Sequence, residues 1–111
     1  MKTLPNIEPK GPMGLSDLEQ LSEVKIEMIG TYSRKLSTQT WKAFVHGINT
    51  VSEATGEIQV PSGFAATPTK ALERLAEELS NQVIVVKEQP VPYSRTPPGQ
   101  KYYRLQKIFV D

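Results

Sequence analysis

The stretch "GFAATPTKALERLAEELSNQVIVV", residues 63–86, constrains the fold of this chain more than any other. Thr67 is a suitable helix N-cap, and Pro68 behind it sits at the first helical position, where its missing N–H costs nothing. Ala71, Leu72, Leu75, Ala76 and Leu79 recur at helical spacing and form one apolar stripe, with Glu73, Glu77 and Glu78 left to face water. Asn81 can adopt the left-handed conformation that ends a helix. Val83-Ile84-Val85-Val86 follows at once, and an unbroken β-branched run of this length reads as a strand buried on both faces. A helix must therefore turn directly into a central strand.

Upstream the period changes from helix to strand. In "EVKIEMIGTY", Val24, Ile26 and Met28 alternate with Lys25 and Glu27. In "STQTWKAFVHGI", Trp41, Ala43 and Val45 alternate with Lys42, Phe44 and His46, and "SRKLS" between the two runs is a turn or short projecting loop. "NTVSEATG" reads as a polar connection and "GEIQVPSG" as a third strand carrying Ile58 and Val60. Three strands with short connections predict an antiparallel meander. Before them, Ser16 and Glu19 have capping-box spacing, and Leu15, Leu18 and Leu21 suit a helix of one to two turns. After the main helix, "KEQPVPYSRTPPGQ" holds four prolines and reads as a stiff exposed loop, and "KYYRLQKIFV" has strand composition with Tyr103, Leu105 and Phe109 facing the core.

The expected order is (short α)-β-β-β-α-β-β. The expected class is α+β, a mostly antiparallel sheet of about five strands with one amphipathic helix on one face. Residues 1–14 hold three prolines and two glycines and read as an extended arm, ordered only if it docks on something, ahead of a single domain spanning 15–111. At 111 residues with 38% hydrophobic content, one modest core is the expectation. Neither a secretory leader nor an apolar run of membrane-spanning length stands out, so the chain reads as a soluble cytoplasmic protein, or one of the host cytoplasm if viral.

Composition removes several kinds of chemistry. There is no cysteine and one histidine, which leaves neither a thiolate metal site nor the clustered ligands of a zinc centre. His46 would be the sole base for a serine nucleophile, and no serine occupies a G-x-S-x-G elbow. "GPMG" and "PSG" lack the lysine and context of a phosphate loop. Glu73, Glu77 and Glu78 share a helix face and read as a solvated acidic surface. The expectation is no enzyme, no metal and no cofactor.

Charge is uneven although the total is +1: residues 31–50 carry a net +3 and residues 81–110 a net +4, against −3 for residues 51–80 and −2 for residues 1–30. In "YSRTPPGQKYYRLQK", tyrosines interleave with cations, a mixture that suits a protein hot spot or nucleic-acid stacking and phosphate contact. The expected partner-binding residues are Tyr93, Arg95, Tyr102, Arg104 and Lys107, with Arg34 and Lys35 of the first hairpin as additions.

Residues 41–79 resemble the strand–strand–strand–helix unit of HicB-type antitoxin domains, where a "T-P-x-x-A-L-x-x-L" helix follows the last strand, and the similar closing unit of double-stranded-RNA-binding domains. The resemblance covers about a third of the chain and implies a helix packed on a meander. Where the RNA-binding domains place a lysine cluster at the start of that helix, Lys70 stands alone beside Glu73, so no functional residue carries over. The reading is a small binding or regulatory protein that occupies a surface of a protein partner, in the manner of phage-type inhibitors of host machinery. Nucleic-acid binding through basic loops and tyrosines is the first alternative, and a self-assembling structural subunit the second. The two edges of an open sheet also leave room for a homodimer, and the helix–sheet interface for a small-molecule pocket.

Overall fold

A computed structural model describes residues 7–21, 24–87, 92–93, 95 and 99–111. The elements are β1 (Ile7–Lys10), β2 (Met13–Gly14), α1 (Leu15–Leu18), β3 (Lys25–Ser33), β4 (Thr38–His46), β5 (Ile48–Val51), β6 (Ile58–Gln59), β7 (Ser62–Ala65), α2 (Pro68–Leu79), β8 (Val83–Lys87), β9 (Gln100–Leu105) and β10 (Ile108–Phe109). The class is α+β. The strands form an antiparallel three-stranded sheet, β3-β4-β7, a mixed five-stranded sheet, β1-β9-β8-β5-β6, and a small parallel pair, β10-β2.

Gly47 is where the chain leaves one sheet for the other. Its φ of 86° lies in the left-handed region that favours glycine, and it separates β4 from β5. "NTV", expected as connection, is therefore strand: Ile48–Val51 pairs with β8 inside the five-stranded sheet. The expected third strand is also divided. Ile58 and Gln59 form β6 on the edge of that sheet, Pro61 is fully buried, and β7 returns to pair with β4. A proline has no N–H to give to a ladder and breaks the run there. Ile58 and Val60, expected on one continuous strand, are 58% and 71% exposed.

Helix α2 forms as its residues require. The Thr67 side chain accepts a hydrogen bond from the Lys70 N–H at 3.3 Å, Pro68 is the first helical residue, and Asn81 has φ 61°. Ala71, Leu75, Ala76 and Leu79 are buried and Leu72 is half-buried. They pack on β7 and β4, and the core continues through Ala43 and Val45 of one sheet to Ile48, Ile84, Val86, Tyr103 and Leu105 of the other. Val83 to Val86 are all buried, at 5% exposure or less, as a central strand must be. Phe109, expected in the core, is 44% exposed, and Ile108 is buried in its place.

The N-terminal segment docks on the chain's own end. Ile7 pairs with Tyr102 and Met13 with Ile108 in parallel, and the same offset of 95 positions continues to Ser16 and Asp111. The Ser16 N–H donates to Asp111 Oδ1 at 3.1 Å and its hydroxyl bonds Oδ2, which holds the Asp111 carboxyl below its ordinary range. The expected Ser16–Glu19 capping box is accordingly absent. Gly14 is the N-cap of α1, its N–H donates to Asp17 Oδ2 at 3.0 Å, and Glu19 accepts from the Ile26 N–H.

Candidate interaction surface

The three-stranded sheet covers the core with one face only. Met28, Trp41, Ala43, Val45 and Ala65 turn toward α2 and the core. Strand alternation then puts Lys42, Phe44 and His46 of β4 on the other face. Their cross-strand neighbours are Ile29, Glu27 and Lys25 of β3, with Phe64 opposite Lys42 and Ser62 opposite Phe44 on β7. Ile29 is 52% and Phe64 55% exposed. The Lys42 ammonium lies 5.5 Å from the Phe64 ring centre and 5.6 Å from that of Phe44, within cation–π reach of both. The Phe44 ring meets His46 edge-on, with centroids 5.0 Å apart.

One acid ties down the end of this face. Glu27 accepts from His46 Nε2 at 3.0 Å and pairs with Lys25 Nζ at 3.3 Å. The His46 bond first, and then Lys25, hold the Glu27 carboxyl below its ordinary range. The surface thus has a fixed polar margin (Lys25, Glu27, His46) beside an apolar centre (Ile29, Phe44, Phe64) through which Lys42 projects. Apolar groups grouped on a face rimmed by polar residues are what a docking surface presents.

The residues expected to bind partners are spread over the molecule. Tyr102 and Arg104 are two apart on β9 and share the outer face of the five-stranded sheet. Tyr102 is half-buried against Val51, Val83, Val85 and Ile7, and its hydroxyl donates to Gln100 Oε1 at 3.3 Å. Arg104 is ion-paired with Glu53, which keeps the Glu53 carboxyl below and the guanidinium above their ordinary values. Tyr93, with φ 65°, and Arg95 are exposed in the segment ahead of β9, most of which lies outside the described residues. Lys107 is exposed between β9 and β10. Arg34 and Lys35 are exposed on the β3–β4 turn, at the end of the other sheet.

Phe44 and Phe64 were not among those expected residues. The signal for Phe44 was present: an aromatic on the polar phase of an alternating strand. Phe64 carried none, because its face depends on the break at Pro61. Two surface depressions of about 360 Å³ accompany these features, one beside Phe64, Arg74 and Glu77 and one beside Asn49, Lys87 and Gln100. Among the described residues no three His, Asp or Glu side chains gather in a way that could hold a metal ion, and no helix is long and apolar enough to cross a membrane. No family model, curated protein or solved structure matches the chain.

Proposed function

We propose that this is a non-enzymatic binding protein that docks a protein partner on the outer face of the β3-β4-β7 sheet. The observation that carries the reading is the exposure of Phe64 and Ile29, at 55% and 52%, around Lys42 on a sheet face opposite the helix. Aromatic anchors with a cation among them and a polar rim are the composition of interface hot spots. A protein of this size acts most simply by occupying a surface its partner needs, which is how a small inhibitor of larger machinery works. A chain without cysteine suits a reducing cytoplasmic setting.

Nucleic-acid binding is the competing reading, carried by the net +4 of residues 81–110. The pairing of Arg104 with Glu53 and the packing of Tyr102 against the valine cluster favour the protein reading, since both side chains already have structural partners. The deciding experiment titrates the protein against labelled single- and double-stranded nucleic acid at low and near-physiological salt. The protein reading expects no specific complex at either salt. Tight binding that weakens steeply with salt, and that Arg95→Ala/Lys107→Ala abolishes, would replace it with the nucleic-acid reading.

A further inference from the structure

We propose that two copies of the chain pair antiparallel through the free edges of β3, joining their three-stranded sheets into one six-stranded sheet. The pairing uses the backbone edge of the sheet, and it shares only Glu27 with the margin of the docking face.

The phase of the edge is set by one hydrogen bond. Ile26 donates its N–H away from β4, to Glu19 Oε1 at 3.2 Å. Along an antiparallel strand the N–H and C=O of one residue point to the same side, and sides alternate residue by residue. Met28, Gly30 and Tyr32 therefore also direct their peptide groups to the free edge, and among the described residues nothing pairs with them there. Glu19 covers the base of the edge and leaves this outer part open. It is long and carries no proline, and it exposes Tyr32 at 60% and, in the following turn, Leu36 at 70%. Natural edges of this kind are usually blocked, and this one has a ladder to offer.

Its charge pattern selects a second copy as the occupant. Glu19 and Glu27 lie at the base of the edge beside Lys25, which pairs with Glu27 and leaves the base acidic by one charge. Arg34 and Lys35 lie at the tip of the hairpin, with no ion pair to either of those two cations among the described residues. Two copies related by a two-fold axis lay the basic tip of each on the acidic base of the other. With the axis at Thr31, Gly30 faces Tyr32 of the other copy, and Glu27 comes alongside its Lys35. A side chain added at Gly30 would meet the Trp41 ring at 2.8 Å, so that ring lies over the glycine and the incoming tyrosine packs beside it. Each projecting hairpin tip, otherwise a two-stranded ribbon of marginal stability, gains a third strand. The arrangement closes at two copies, because it uses the same edge of each.

The test is sedimentation velocity of the full chain from low micromolar to several hundred micromolar, with intrinsic fluorescence of Trp41 followed alongside. A monomer–dimer equilibrium that stops at the dimer is expected, with a tryptophan shift tracking the dimer fraction. Tyr32→Pro removes one edge donor without touching the bonds to β4, and stays monomeric. Glu27→Lys and Lys35→Glu each turn two attractions into repulsions and weaken the dimer about tenfold, while the double variant restores it. A monomer at every concentration, open-ended assembly, a dimer indifferent to Tyr32→Pro, or a double variant no tighter than the single ones would overturn the proposal.

Discussion

Gly63 and Ala71 meet with no side chain between them: a Cβ at position 63 would stand 2.4 Å from the Ala71 carbonyl oxygen and 2.5 Å from the Leu75 nitrogen. Both obstacles are helix backbone, which cannot turn aside as a side chain can. Gly63→Ala must push α2 off β7, and with it the helix that covers the core. A loss of about 2 kcal/mol in urea-induced unfolding is expected. An unchanged midpoint would mean that β7 and α2 do not approach so closely.

Thr67 is the N-cap of α2, and its side chain accepts from the Lys70 N–H. Thr67→Ala is expected to cost about 1 kcal/mol, and Thr67→Ser a few tenths or less, by thermal unfolding followed by circular dichroism.

The division of the third strand at Pro61 gives a contrast between two apolar positions. Leu75 is fully buried and Val60 is 71% exposed. Leu75→Ala is expected to destabilise by about 3 kcal/mol, and Val60→Ala by less than about 0.5 kcal/mol. Equal effects would place Val60 in the core.

Acid should loosen the closure of the two chain ends. Asp111, bonded by Ser16, and Glu27, bonded by His46 and Lys25, both have carboxyls held below their ordinary range. A carboxylate whose folded value is lowered contributes stability that is complete above its unfolded value of about 4 and is lost as pH falls through the folded one. The melting temperature is expected to be level between about pH 7 and 5 and to fall below about pH 4.5. Asp111→Asn should begin lower at neutral pH and show a shallower fall. A parallel fall in both proteins would mean that Asp111 does not carry the acid sensitivity.

The parts of the fold legible in the sequence are those set by local chemistry. The cap at Thr67, the stripe from Ala71 to Leu79, the turn at Asn81 and the buried run Val83–Val86 each depend on neighbours within a few positions. The alternation of β3 and β4 was legible for the same reason. The division into two sheets was not, because it rests on the backbone conformation at Gly47 and on a proline whose effect depends on which strands lie alongside. The parallel pairing of residues 7–14 with the last strands left no local trace, since strands so far apart in sequence carry no shared pattern. Of the expected contact residues, the sequence could show that Tyr102 and Arg104 alternate with the core, but not that Glu53 and the valine cluster would meet them.

The most direct test of the proposed docking face is site-specific photo-crosslinking in the native host. A photoreactive phenylalanine analogue replaces Phe64 in one protein and Arg104 in another, each checked for an unchanged melt. One discrete protein adduct is expected from position 64, lost when Phe44→Ala is added, and none from position 104. The same adduct from position 104 alone, or adducts to nucleic acid, would contradict it.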